Sequence, residues 1–321
     1  MNSTRTRTVL LTDFAWPDDS IERGIIESAG FKLVSGPANP ASPDVIEALV
    51  REHQPEAILT CWAQVSAAAI EAAANLKIVA RLGVGLDNIA VEQATRGGIW
   101  VTNVPDYCVE EVSDHAVGLA LAWTRGLVSF DRDVQQGNWN PAGAALRRLG
   151  NLTVGIVGFG RIGRRTAQKL QAFNARLLAF DPYPANDAGV TFVVLDELMR
   201  QADIVIVHAP LTPTTHHLID QTRLDQLKPG SFLINVSRGG VVDTDAVIRA
   251  LQSGQLSGAG LDVLEQEPQV PAELLQHPGV IITPHVAFSS DASLVELRQR
   301  ASEEVVRVLL GEQPQQARNT P

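Results

Sequence analysis

Three segments of the sequence carry side chains able to bind an anion and move a proton. They are Asn235-Val236-Ser237-Arg238-Gly239-Gly240, Leu261-Asp262-Val263-Leu264-Glu265-Gln266-Glu267-Pro268 and Thr283-Pro284-His285, and each follows an apolar run. A guanidinium presents a planar fork to a carboxylate, so Arg238 can hold an acid group. An imidazole exchanges its proton near neutral pH, so His285 can protonate a carbonyl oxygen and, in the other direction, take a hydroxyl proton. Glu267 can hydrogen-bond His285 and favour its charged form, because a nearby negative charge stabilises an imidazolium. A cation for a carboxylate and a proton for a carbonyl are what hydride transfer to a 2-keto acid requires. Singly, each of the three is an ordinary surface, loop or structural residue. Their occurrence after successive apolar runs is the signal.

The hydride needs a carrier. Gly158-Phe159-Gly160-Arg161-Ile162-Gly163 follows one apolar run and opens an amphipathic stretch. Gly158 permits the tight turn, Gly160 lets the backbone approach a pyrophosphate, and Gly163 lets helix and strand pack closely. The helix N-terminus then offers N–H groups and a positive dipole to the phosphates. The next apolar run, Leu177 to Phe180, ends in Asp181. That places a carboxylate about 20 residues beyond the glycines, able to accept from ribose hydroxyls and to repel a 2′-phosphate. Pro182 and Tyr183, not basic residues, follow it. NAD is the expected cofactor rather than NADP.

Ligands of open α/β sheets bind beyond the carboxyl ends of strands, so the remaining elements must bring these ends together. Short Val-, Ile- and Leu-rich runs alternate with longer amphipathic stretches, the pattern of parallel strands joined by helical crossovers. Strands are expected at 8–11, 31–34, 57–59 and 77–80. Helices are expected at 20–29, at 43–52 with Ser42 as N-cap and Pro43 first, and at 66–74. After a long helix over 113–133 the pattern restarts, with strands at 152–157, 177–180, 204–208, 232–236, 258–263 and 280–283. A closing helix is expected over 291–310. The polar tail 311–321, with two prolines, is expected to fray. The fold class is α/β, with two doubly wound parallel-sheet units.

Bulk properties agree. A chain of 321 residues suits two domains. Hydrophobic residues at 45% and charged residues at 19% are the balance of a globular protein. A formal net charge of −10 repels phosphate backbones, so no nucleic-acid partner is expected. Two cysteines, Cys61 and Cys108, make no disulfide framework and suit a reducing cytoplasm. Arg5 and Arg7 precede only the short run Val9-Leu10-Leu11, with Asp13 close behind, so no signal peptide is expected. No run nears the ~18 apolar residues that span a bilayer, and no membrane partner is expected. No metal site is expected.

With these residues in order, the chain resembles the D-isomer-specific 2-hydroxyacid dehydrogenase family over nearly its whole length. The matching stretches are Gly83 to Ile89, Asn103-Val104-Pro105, Gly158 to Gly163, His208 to Thr212, Asn235 to Gly239, Leu261-Asp262-Val263, Glu267-Pro268 and Pro284-His285. The resemblance implies a Rossmann NAD-binding domain, 103–289, inserted into a flavodoxin-like substrate domain, 1–102, that the returning segment 290–321 completes. It implies a small 2-hydroxy/2-keto acid as substrate, bound between domains. It implies that Arg238 binds that substrate, that His285 is the acid/base and that Glu267 tunes it. Backbone N–H groups of Val84 and Gly85 would hold the substrate carboxylate and Asp262 the nicotinamide carboxamide. Dinucleotide contacts would extend to Ala209, Pro210, Thr215, Val236 and Ser237. Members are usually homodimers through the NAD-binding domain.

Within the family, Val104 to Asp114 looks closest to the C-terminal-binding-protein branch, as does Arg81, which there adds a second cation facing substrate. Phe288 stands where that branch often has Trp, three places after His285; it either packs on an apolar substrate tail or belongs to the core. Trp62 either lines the substrate mouth or is a buried anchor. Phosphoglycerate-specific members carry Arg near the position of Thr60, so Thr60-Cys61-Trp62-Ala63 makes 3-phosphoglycerate the less favoured alternative substrate. An NAD(H)-sensing binding protein, or corepressor-like scaffold, is the alternative of a different class. A formate or phosphite dehydrogenase is disfavoured by the Glu267 and His285 pair. Closure over substrate is expected, with hinges near Asn103 and Phe288.

Overall fold

The computed structural model describes residues 7–14, 16–143, 145–184 and 187–321; Arg5 lies outside them. In chain order the first unit runs β1 (Thr8–Leu11), α1 (Ser20–Ser28), β2 (Lys32–Ser35), α2 (Pro43–His53), β3 (Ala57–Thr60), α3 (Ala67–Ala72), β4 (Ile78–Arg81), α4 (Val91–Arg96) and β5 (Trp100–Thr102). The second runs α5 (Val109–Arg125), α6 (Leu127–Gln135), β6 (Thr153–Val157), α7 (Arg161–Gln171), β7 (Arg176–Phe180), β8 (Val190–Phe192), α8 (Leu195–Gln201), β9 (Ile204–Val207), α9 (Gln221–Leu224), β10 (Ser231–Asn235), α10 (Thr244–Gln252), β11 (Leu256–Leu261), α11 (Ala272–Gln276) and β12 (Val280–Ile282). The chain then returns to the first unit as α12 (Asp291–Leu309). The units are Met1–Tyr107 with Ser290–Pro321, and Cys108–Ser289, so the first junction falls five residues beyond the expected 102/103.

Both sheets are parallel throughout. The five-stranded sheet has the order β2-β1-β3-β4-β5, and the seven-stranded sheet β12-β11-β10-β9-β6-β7-β8. Strands covered on both faces need continuous apolar sequence rather than alternation. AILT in β3 and IVIV in β9 are such runs, and every residue in both is buried. In the second unit the order reverses at β6, which pairs β7 on one side and β9 on the other. In the first unit it reverses at β1, between β2 and β3. Ligands of such sheets collect outside the carboxyl ends at these reversals, which is where Gly158 and Asp13 lie.

The expected long helix over 113–133 is two helices. Gly126 takes φ +60, a left-handed conformation that ends α5 before α6 begins. Ser42 occupies the N-cap of α2, but its side chain makes no capping bond. The unanticipated strands β5 and β8, three residues each, each form one edge of their sheet.

The tail does not fray. Buried Glu304 accepts the N–H groups of Gln315 and Gln316 at 2.8 and 3.1 Å, and Asn319 bonds the main chain of Ile99 and Val101 at 2.8 Å each. Thr102 and Ala317 form an antiparallel bridge. The helix before the tail is tied to α1 by Arg298, whose guanidinium meets the buried Glu22 carboxylate at 2.8 and 2.9 Å.

Candidate active site

The Arg238 turn is folded by its own sequence. Asn235, the last residue of β10, accepts from the Ser237 N–H and hydroxyl at 3.1 and 2.9 Å and donates to the Arg238 carbonyl at 3.0 Å. The guanidinium Nη1 donates to the Ser237 carbonyl at 2.8 Å. Gly239 then presses on the neighbouring loop: a Cβ there would lie 2.0 Å from the Leu264 carbonyl carbon and 2.4 Å from the Glu265 nitrogen. Only glycine allows that approach, and it draws the Arg238 turn against the loop that carries Glu267.

Glu267 joins three partners. One carboxylate oxygen accepts the Leu264 N–H at 2.9 Å and the other meets His285 Nδ1 at 2.8 Å. Burial alone would raise the Glu267 pKa. The His285 hydrogen bond and charge, the Leu264 N–H and the Arg238 charge outweigh it and hold the group below its ordinary value. Arg238, Glu267 and His285 thus form one electrostatic cluster in the second unit.

His285 sits on a turn with φ +52, unusual for a residue with a Cβ. Asp262, buried at the end of β11, holds that turn. Its carboxylate accepts the Thr283 hydroxyl at 2.5 Å and the N–H groups of Val286 and Ala287 at 3.0 Å each. Its carbonyl accepts the His285 N–H at 2.8 Å. Phe288 meets the His285 ring edge-on, with centroids 6.4 Å apart.

The glycine turn fits a dinucleotide. Gly158 takes φ +92, and a Cβ on it would lie 2.6 Å from the Ala209 nitrogen. A Cβ on Gly163 would lie 2.3 Å from the Gly158 carbonyl oxygen. Gly160 caps α7 and meets nothing within 4 Å, so the space before the helix N-terminus is open to a phosphate. Asp181 accepts the Phe159 and Tyr183 N–H groups at 2.7 and 2.8 Å, fixing its carboxylate beside the turn. The Phe159 ring is buried against Phe192, so that residue offers its backbone only. Arg161 is exposed and Ile162 half-buried. Ala209 and Val236 are buried, and Ser237 is spent on Asn235. The Thr215 hydroxyl donates to the Pro210 carbonyl at 2.5 Å and so closes the turn after β9.

In the first unit, the carboxylate of buried Asp13 gathers the N–H groups of Cys61, Trp62 and Ala63 at 3.1, 2.6 and 3.1 Å, and the Thr12 hydroxyl at 2.7 Å. This fixes the loop after β3. The Arg81 guanidinium lies 5.7 Å from the Trp62 ring, and its buried Nε has no hydrogen-bond partner among the described residues. Val84 and Gly85, both half-buried, follow Arg81, and Asn103 Nδ2 donates to the Val84 carbonyl.

Residues 117–287 match the family described as D-isomer specific 2-hydroxyacid dehydrogenase, NAD binding domain. A glyoxylate reductase of Thermofilum pendens is 37% identical over 284 residues, 85% of this chain and 84% of its own. The chain belongs to the D-isomer specific 2-hydroxyacid dehydrogenase family. It is an NAD-dependent oxidoreductase that transfers hydride between nicotinamide and 2-hydroxy or 2-keto acids. A D-3-phosphoglycerate dehydrogenase of Mycobacterium bovis is 39% identical over 82% of this chain, which spans half of that relative's length. A D-lactate dehydrogenase of Aquifex aeolicus, solved with NAD and lactic acid, superposes with a TM-score of 0.85 at 30% identity, over 95% of this chain and 96% of its own.

Two features of this dehydrogenase escape the motif reading. His115 on α5 places Nε2 3.0 Å from the Thr283 hydroxyl and 3.7 Å from Asp262, joining the network behind His285. His216, His217 and Glu265 form a second cluster of titratable groups. The doublet His216-His217 was a visible signal for the second; nothing local marks His115.

Proposed function

We propose that this dehydrogenase reduces a small, unphosphorylated 2-keto acid of the glyoxylate class, using Arg238, Glu267 and His285. Bound NADH supplies the hydride. Arg238 holds the substrate carboxylate through its planar fork. His285 Nδ1 is taken up by Glu267, so Nε2 passes the proton to the carbonyl oxygen as that oxygen gains charge, and takes it back in the oxidation direction. Glu267 holds the imidazole ring in place through Nδ1 for the transfer. Arg81 and the backbone N–H groups of Val84 and Gly85 are proposed as further contacts for the acid group. Arg81, with Val104 to Asp114, is where the likeness to the C-terminal-binding-protein branch is proposed to lie. Trp62 and Phe288 are proposed to bound the substrate's far end, Asp262 to meet the carboxamide, and Gly158 to Gly163 with Asp181 to hold the dinucleotide.

What supports this reading most is the cluster itself: His285 Nδ1 lies 2.8 Å from the Glu267 carboxylate, and the Arg238 charge acts on the same carboxylate. Thr60 speaks against a phosphorylated substrate. It is buried, bonds the Ala63 carbonyl at 2.8 Å, and brings no positive charge. A homodimer through the NAD-binding unit belongs to the same proposal. Leu127, Val134 and Trp139, at 58, 49 and 87% exposure, give α6 and its following segment an apolar surface suited to a second copy. A cytoplasmic location is proposed with it; no helix of the described residues is long and apolar enough to cross a membrane.

The test is a panel of 2-keto acids with NADH and with NADPH. Glyoxylate and other small keto acids should be reduced fastest, with NADH. No turnover, or a preference for the keto acid of 3-phosphoglycerate, would overturn the proposal.

A further inference from the structure

His216 and His217 end the turn after β9, and Glu265 lies in the loop after β11. Consecutive side chains of extended backbone point to opposite sides. Here His217 takes φ +50, and its N–H donates to the Gly240 carbonyl at 2.8 Å. The two imidazoles are thereby stacked on one side, centroids 4.0 Å apart and 26° between planes. His217 Nε2 lies 2.6 Å from one Glu265 oxygen, and the other oxygen accepts the Thr244 N–H at 2.8 Å in the first turn of α10. One nitrogen of each histidine and one oxygen of Glu265 all lie within 4.8 Å of one another.

We propose that His216, His217 and Glu265 bind a single transition-metal cation of the Zn2+ class. Two imidazoles and a carboxylate are a donor set that zinc accepts, at bond lengths near 2.0–2.2 Å that put ligand atoms about 3.3 Å apart. Closing from the present spacing takes small side-chain rotations, and His216 is exposed and able to make them. Glu265 is already oriented: the Thr244 N–H holds one oxygen and turns the other toward the imidazoles, as outer partners orient metal-binding carboxylates. Magnesium and calcium prefer oxygen ligands and would compete poorly.

The ion would tie the 216–217 turn to the peptide on which Gly239 rests, joining the supports of Arg238 and Glu267 without touching either. The experiment uses the untagged full chain, stripped with chelator, titrated calorimetrically with Zn2+ in excess Mg2+. The wild type should bind about one equivalent and melt at a higher temperature with Zn2+. His216→Ala should weaken binding at least ~10-fold, lose the zinc-dependent shift, and keep its metal-free melting temperature and turnover. Glu265→Gln should weaken binding as well, while His285→Ala should not. Absence of saturable binding would overturn the proposal. So would equal affinity in His216→Ala, which would place the ion at the Glu267–His285 pair or elsewhere.

Discussion

Asp262→Asn should damage both catalysis and stability, although the side chain keeps its size. In the wild type the carboxylate accepts three bonds from the turn that carries His285: the Thr283 hydroxyl and the Val286 and Ala287 N–H groups. An amide keeps one accepting oxygen. Placed toward Thr283 and Val286, it retains two bonds, each weaker by about 1 kcal/mol once the charge is gone. Its NH2 then faces the Ala287 N–H, and a buried donor left unpaired costs about 1–3 kcal/mol. The sum is roughly 3–5 kcal/mol, a large share of the ~5–15 kcal/mol that stabilises a folded protein. At about 2–4 °C per kcal/mol for a unit of this size, the melting temperature should fall by about 10 °C. A shift of ~1 Å at His285 should lower kcat by about 100-fold. Steady-state reduction of glyoxylate and differential scanning fluorimetry on the same preparation measure both. Turnover within ~2-fold of wild type together with a melting point within ~2 °C would refute the idea that this carboxylate holds the turn.

Other substitutions probe other parts of the site. Glu267→Gln should lower kcat by about 100-fold, because the imidazole loses its ionised partner. The wild-type acid has a pKa below the ordinary 4.5, so it stays ionised as pH falls toward that value. Its contribution to stability is therefore complete above the unfolded value and is lost only as pH drops through the lower folded one. A wild-type pH–rate profile in which loss of Glu267 charge sets in well above pH 5 would contradict this. Arg238→Lys should raise KM for the keto acid by about 10-fold or more, since an ammonium cannot replace a fork, with NADH affinity by fluorescence titration little changed. Gly239→Ala must move the Leu264–Glu265 peptide and should cost at least about 1–3 kcal/mol in urea unfolding. His208, 3.0 Å from the Thr166 hydroxyl, is held neutral by burial, its pKa lowered to about 3. The unfolded chain takes up this proton near pH 6.5, so stability should fall as pH drops from there toward 3; His208→Gln should flatten that dependence of the melting temperature.

Much of the architecture was legible because parallel strands buried on both faces leave unbroken apolar runs, as at Ile204–Val207. The glycine turn was legible for a related reason: Gly158 and Gly163 each face backbone that tolerates no Cβ. The edge strands Trp100–Thr102 and Val190–Phe192 are short and each contains a threonine, whereas the equally short Val280–Ile282 is an unbroken apolar run and was legible. The tail looked free because Ile99 and Val101, which hold Asn319, are distant in sequence, and because Glu304 sits on a helix whose spacing does not show that its carboxylate reaches the tail. The same distance hid the second duty of Asp262. The family resemblance marked it as a carboxamide contact, but only the folded turn shows its carboxylate occupied by the backbone around His285. The break at Gly126 leaves no mark in the sequence because the apolar spacing continues across it.

His285, held by Glu267, is proposed to move the proton in hydride transfer. The most direct measurement pairs the glyoxylate reduction rate of His285→Ala with its dissociation constant for NADH. The rate should be lower by at least ~100-fold, with NADH affinity within a few-fold of wild type. A variant that binds NADH normally and still reduces the acid at the wild-type rate would contradict this role.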